Sequence, residues 1–176
     1  MKSEIRYYIL NQVSIHPGDI ATITAKQFNV SRQTIVNYLT KLTEEGLVTA
    51  TGRTRSRQYK LRDLVYELFR KNVSPSMEDD AIWRENILPF MTNLKPNVVD
   101  ICQYGFTEIL SNVIDHSESQ TVLCHIKRNA IWVELGIIDY GVGIFNKIQK
   151  AFNLNDPRQA LLELSKGKLT SDPKHH

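Results

Sequence analysis

The 176-residue chain has only two cysteines, Cys102 and Cys124, with no close metal-ligand spacing between them. A disulfide-stapled scaffold is thereby excluded, and two buried, reduced thiols are the expectation. Long apolar runs are also missing. None approaches the roughly 20 residues that a membrane-spanning helix needs. The first residues, Met1-Lys-Ser-Glu-Ile-Arg-Tyr-Tyr8, lack the apolar centre of a secretory signal, so a cytoplasmic protein away from membranes is expected. Neither low complexity nor an internal repeat is visible, which argues against a solenoid array.

What is present is an ordinary globular composition, 41% apolar and 23% charged, long enough for one medium domain or two small ones. The charge is uneven. Up to Arg62, ten Lys and Arg stand against four Asp and Glu, a net +6; the remainder has twelve against fifteen, a net −3. The basic part is the candidate for nucleic acid, and the rest is not.

Within that basic part, Ile5, Tyr8, Ile9 and Val13 recur at helical spacing over Ser3 to Val13, and His16-Pro17-Gly18 ends the helix. Asp19 is placed to cap a second helix with apolar positions Ile20, Ile23, Ala25 and Phe28. After the turn Phe28-Asn-Val-Ser31, Ser31 is the expected N-cap of a third helix with an Ile35, Leu39, Leu42 stripe, ended by Gly46. This is the order of a helix-turn-helix unit. Arg32, Gln33, Thr34, Asn37, Tyr38 and Lys41 remain on or near its outward face, with donors suited to base edges and phosphates. Leu47 to Thr51 and Arg57 to Leu61 read as strands around a tip carrying Arg53, Arg55 and Arg57. Over residues 1–62 the pattern resembles the winged-helix family. The resemblance implies binding of double-stranded DNA through the third helix, Ser31 to Lys41, and the arginine-bearing wing; a protein partner is the alternative use of such a unit.

The segment 63–77 is expected to be a connector. Leu64, Val65, Leu68 and Phe69 fit a helix over Asp63 to Val73, and Ser74-Pro75-Ser76 interrupts it as the domain boundary. From Glu78 a further helix runs to Pro89, with Trp83 and Phe90 as core residues. Pro96 is placed to start a long helix reaching about Ser117. Thr121 to Lys127 and Ala130 to Asp139 read as antiparallel strands turning at Arg128-Asn129, with His125 and Trp132 as sheet residues. Two short helices, Phe145 to Phe152 and Pro157 to Ser165, precede a polar tail.

The long helix carries Phe106, Ile109, Leu110, Val113 and Ile114 as its core face. Glu108, Asn112, Asp115 and His116, at i, i+4, i+7 and i+8, line another face. Asp139 stands at the end of the second strand, and Gly141 and Gly143 would let backbone approach a ligand closely. Singly, these features also fit a solvated helix face and a plain loop. In this order, Glu-x-x-x-Asn on a helix, two strands, then Asp-x-Gly-x-Gly-Ile144, they resemble the ATPase domain shared by histidine kinases, gyrase-type topoisomerases, mismatch-repair ATPases and anti-sigma-factor kinases. The run Glu108-Ile-Leu-Ser-Asn-Val-Ile-Asp-His-Ser117 is most similar to the histidine-kinase and anti-sigma branch.

That resemblance implies ATP and Mg²⁺ as cofactors. Asp139 would accept a hydrogen bond from the adenine amino group, Asn112 would hold the metal against the phosphates, and Glu108 would be the general base. Gly141, Gly143 and Ile144 would lie beside the base, and Asp115 and His116 near the nucleotide, His116 being equally suited to packing. The family's second glycine motif, a lid over the phosphates, is not found; Leu169 to His175 resembles its beginning. The expected architecture is therefore α+β, a winged helix-turn-helix followed over residues 78–176 by part of a histidine-kinase-like α/β sandwich, with weak turnover. The expected function is a DNA-binding regulator whose nucleotide site controls DNA binding or homodimerisation. Alternatives are an anti-sigma-type serine/threonine kinase and a non-catalytic dimerisation platform.

Overall fold

The structure, a computed structural model, describes residues 2–156 and 159. It is a mixed α+β chain in two compact units, Met1–Glu67 with His125–Leu135, and Leu68–Cys124 with Gly136–His176. No described helix is long and apolar enough to cross a membrane.

The first unit begins with α1 (Lys2–Gln12), α2 (Ile20–Phe28) and α3 (Arg32–Glu44). Each presents an apolar stripe, and Ile5, Ile9, Val13, Ile20, Ile35, Leu39 and Leu42 bury together in one core with Val48 and Tyr59. Helix ends are closed by local chemistry. The Ser31 hydroxyl accepts from the Thr34 N–H at 3.1 Å, as an N-cap should. At the other end of α3, Gly46 adopts φ +72°; its N–H donates to Thr43 and that of Leu47 to Leu42. This paired closure satisfies carbonyls that the helix leaves free. Asn29, at φ 51°, ends α2 in the same manner. Asp19 departs from expectation: its carboxylate takes the His16 ring nitrogen at 3.2 Å and makes no cap bond.

A hairpin follows, β1 (Val48–Thr51) pairing antiparallel with β2 (Gln58–Leu61) in the register Val48 opposite Leu61 and Thr51 opposite Gln58. The Tyr59 N–H donates to the Pro17 carbonyl, which seats the hairpin on the turn before α2. Arg6 and Glu45 form a forked ion pair, Nη1 to Oε1 at 2.8 Å, between α1 and the end of α3. The Arg6 hydrogen bond holds the Glu45 carboxyl below its usual range.

The expected connecting helix is absent. Val65–Asn72 is a strand, β3, the edge of a three-stranded sheet ordered β3-β4-β5 with β4 (Thr121–Arg128) and β5 (Val133–Asp139). Backbone bonds from Leu64 to Arg128 and from Val73 to Gln120 run the two strands antiparallel. Leu64, Val65, Leu68 and Phe69 satisfy a helical spacing, but Val65, Tyr66 and Phe69 are also strand formers. The free ladder of β4 decides between them.

In the second unit α4 (Asp79–Ile82) continues into a wide π turn, Trp83–Ile87, and a short 3₁₀ turn ending at Phe90. Then α5 (Pro96–His116) starts at proline as expected. Trp83 is buried against Phe106, ring centres 5.8 Å apart. Ile87, Met91, Leu110, Val113, Val122 and Cys124 are buried as well. Burial pushes the Cys124 thiol up to about 11, against a smaller opposing effect of Lys71. Cys102 is only half-buried. Ile109, assigned to the core face, is instead 55% exposed, and Ile114 is half-buried. The chain then forms α6 (Ile144–Ala151). The helix expected over Pro157 to Ser165 and the lid-like Leu169 to His175 lie outside the described residues.

Leu39 is fully buried at the centre of the first core. Leu39→Ala is expected to cost about 2–5 kcal/mol of unfolding free energy, read from the urea midpoint at unchanged slope.

Candidate functional site

The second unit brings the end of α5 against the turn that follows β5. The Ser117 carbonyl, just past α5, accepts the Val142 N–H at 2.9 Å. A Cβ on Gly141 would lie 1.8 Å from that same carbonyl oxygen. Only glycine fits there. Gly141 was expected to admit a ligand, but the neighbour its missing side chain admits is Ser117. Gly143 is glycine for a different reason. Its φ of +74° and ψ of 141° suit glycine alone, while a Cβ there would meet nothing.

Two buried serines complete the junction. The Ser117 hydroxyl accepts from the Ser119 N–H at 3.0 Å. The Ser119 hydroxyl donates to the Thr121 carbonyl at 2.7 Å and accepts from the Tyr140 N–H at 3.1 Å. Thr121 opens β4 and Tyr140 follows β5, so one hydroxyl links the two strand ends. Asp139 is half-buried, and its Oδ1 accepts from the Gly141 N–H at 2.9 Å. Its second oxygen is the acceptor left for a ligand. Lys147 on α6 pairs with Glu118 at 3.0 Å. Ile144 opens α6, and only its backbone is described.

Glu108, Asn112, Asp115 and His116 lie along α5 and are all exposed. Among the described residues their side chains form no hydrogen bond or ion pair. The neighbouring Ser111 is engaged instead, its hydroxyl donating to Asp79 Oδ2 at 2.7 Å. The four thus form a free polar face, two carboxylates, an amide and an imidazole. Its last turn adjoins the Asp139–Gly143 turn through Ser117. No hydrogen bond joins Glu108 or Asn112 to Asp139. An amide oxygen and carboxylates suit a hard cation such as Mg²⁺, which retains water and phosphate as further ligands.

In the first unit, Arg32, Gln33, Asn37 and Lys41 are exposed along α3, Ser31 is exposed at its cap, and Thr34 and Tyr38 are half-buried. Gln33 donates to Asn37 at 3.2 Å, and the Ser31 and Thr34 hydroxyls bond each other at 2.8 Å. Arg53 is exposed at the hairpin tip. The Arg57 guanidinium lies over the Tyr59 ring, 5.4 Å from its centre, so part of its binding capacity is used internally. For Arg55 only the backbone is described; it falls within a 3₁₀ turn, Thr54–Ser56. A shallow hollow of about 410 Å³ is lined by Ser3, Glu4, Tyr7, Tyr8 and Phe28, and none of the motif residues reaches it.

No known family model, curated protein or solved structure matches the chain. Ser117 and Ser119 were not singled out from the sequence. The available signal was a pair of hydroxyls two residues apart between a helix and a strand, where such side chains commonly satisfy free backbone groups.

The two glycines should respond differently to alanine. Both variants are expected to lose about 1–3 kcal/mol of stability, Gly141→Ala through overpacking and Gly143→Ala through backbone strain. Only Gly141→Ala should also speed hydrogen exchange at the Val142 amide, measured by NMR, because only it pries the turn from Ser117.

Proposed function

We propose that the chain is a DNA-binding regulator of the winged-helix kind, joined to a histidine-kinase-like module that binds ATP with Mg²⁺. The observation that carries the nucleotide half is the junction at Ser117. It fixes the Asp139–Gly143 turn beside the helix whose free face bears Glu108 and Asn112. In this reading the second Asp139 oxygen accepts a hydrogen bond from the adenine amino group. Asn112, with Asp115 nearby, would supply oxygen to a Mg²⁺ bound with the nucleotide. Glu108 lies four residues before Asn112, about 6 Å along the axis, and would be the group to take a proton from a water or hydroxyl attacking the terminal phosphate. Mg²⁺ would neutralise the phosphate charge when bound.

For the DNA half, the support is the net +6 over residues 1–62 together with the exposed row on α3 and the exposed Arg53. Arg32, Gln33 and Asn37 are the base-edge candidates; Lys41, Arg53 and Arg55 are the phosphate contacts. Arg57, stacked on Tyr59, contributes less. Nucleotide occupancy is taken to set DNA affinity or dimerisation, giving a cytoplasmic transcriptional switch.

Calorimetric titration with MgATP tests the first half. The wild-type chain should bind, and Asp139→Asn and Asn112→Ala should each weaken binding by about tenfold or more, the equivalent of one charge-assisted hydrogen bond. Absence of binding by the wild type would remove the nucleotide reading altogether.

Salt-dependent DNA binding tests the second half. Arg53→Ala or Lys41→Ala should lower the log–log salt slope by about 0.9 each, whereas Arg57→Ala should change it less. If saturating MgATP leaves DNA affinity and oligomeric state unchanged in a chain that binds it, the coupling is absent.

A further inference from the structure

We infer that Ser119 is a positioning residue for the nucleotide site, one that sets the distance between the end that receives the base and the end that receives the phosphates. The inference rests on the nucleotide reading above, and goes beyond it in naming what holds the two ends in register.

Asp139 lies on the last residue of β5, and Asn112 on the last two turns of α5. From the end of α5 the chain passes through residues 117–120, a short bridge whose backbone includes Glu118 at φ 59°, into β4, and only returns along β5 to Asp139. Such a bridge cannot hold its ends rigidly by its own conformation. Two cross-links hold it here. The first is backbone, Val142 N–H to the Ser117 carbonyl, with Gly141 packed against it. The second is Ser119. Its hydroxyl accepts from the N–H of Tyr140, the residue next to Asp139, while donating to the carbonyl that opens β4. Ser119 is itself fixed, because its N–H donates to the Ser117 hydroxyl. Both serines are 8% exposed, so these bonds are shielded from exchange with water and neither partner is readily replaced by solvent.

The consequence is specific. A ligand that touches only the Asp139 end does not need the two ends in register. A ligand that spans base and phosphates does. Removing the hydroxyl leaves the Tyr140 N–H and the Thr121 carbonyl without their partner, and leaves the Asp139 turn tied to α5 by the Val142 bond alone. Misplacement on the order of 1 Å is enough to cost a positioned group most of its effect.

The test compares wild type, Ser119→Ala and Ser119→Thr, titrated calorimetrically with MgATP, MgADP and adenosine well below each variant's melting temperature. Exchange of the Tyr140 and Val142 amides is followed by NMR alongside. Ser119→Ala should weaken MgATP and MgADP binding by about tenfold to a hundredfold, one to two hydrogen bonds' worth. Adenosine binding should fall less than threefold or so, on the same scale. Ser119→Thr, which keeps the hydroxyl, should restore nucleotide binding. Tyr140 exchange should accelerate in the alanine variant alone. A merely structural role would lower the melting temperature and leave all three affinities in their wild-type ratio, which overturns the inference. A wild-type Tyr140 amide that exchanges freely overturns it too, whatever binds. A protected Tyr140 amide in a wild-type chain that binds none of the three ligands refutes the nucleotide reading, and Ser119 is then a structural link only.

Discussion

A carbonyl oxygen at the end of a helix must find a donor if it is to be shielded from water, and in the second unit the donor comes from the turn beyond β5. Ser117 ends α5; its carbonyl has no partner in the helix and takes the Val142 N–H. The contact is possible because residue 141 has no side chain, a Cβ there being 1.8 Å from the oxygen. The two serine hydroxyls extend it into a small buried network in which each bond is oriented by the next. The polar face of α5 and the Asp139 turn owe their proximity to this junction. Apolar packing of Trp83, Phe106 and Leu110 orients the helix, but hydrophobic contact is not directional enough to set a position to a fraction of an ångström.

The first unit is built on the opposite principle. Its core is almost wholly apolar, with Leu39, Ile35 and Ile9 fully buried, and its polar chemistry is pushed to the helix ends and the surface. Ser31, Asn29 and Gly46 close the helices, and the Arg6–Glu45 fork joins two of them at the rim. Surface pairs of this kind are typically worth under about 1 kcal/mol. The Glu45 carboxyl is held low by Arg6. Its contribution is therefore present above the ordinary carboxylate range and lost as pH falls through the lowered value. Because neither core nor caps need the remaining cations, Arg32, Lys41 and Arg53 stay exposed, and the net positive charge is available to a polyanion.

The two glycines of the Asp-x-Gly-x-Gly turn show why a motif is a weak guide to geometry. From the letters alone both suggest openings for a ligand. Gly141 is required by an intramolecular contact and Gly143 by its backbone angles. A string of letters records that a side chain is forbidden but not what forbids it. Arg57 makes a related point for charge: it lies over the ring of Tyr59, two residues on along the same side of the strand, so a cation that the composition counts as available is partly engaged within the chain.

Features that depend on neighbours within a turn or two are legible in the order of residues alone. They include α1, α2, α3 and α5 with their apolar stripes, the Ser31 cap, the Gly46 stop, the Pro96 start, the β1–β2 and β4–β5 hairpins, and the alignment of Glu108 with Asn112. Helical periodicity and capping are local, so they are legible. Tertiary structure decided the rest. Residues 65–72 satisfy helical spacing and strand propensity alike, and the open edge of β4 selected the strand. Ile109 belongs to an apolar stripe by spacing yet faces solvent, because the core of its unit accepts only the arc from Phe106 to Val113. Asp19 gave up its cap for His16, a competition between near neighbours of similar strength. The Ser117–Ser119 junction joins positions more than twenty residues apart. A bond between backbone groups leaves almost no mark on side-chain identity, so its traces in the sequence are a glycine whose reason lies elsewhere in the fold and two serines between a helix and a strand.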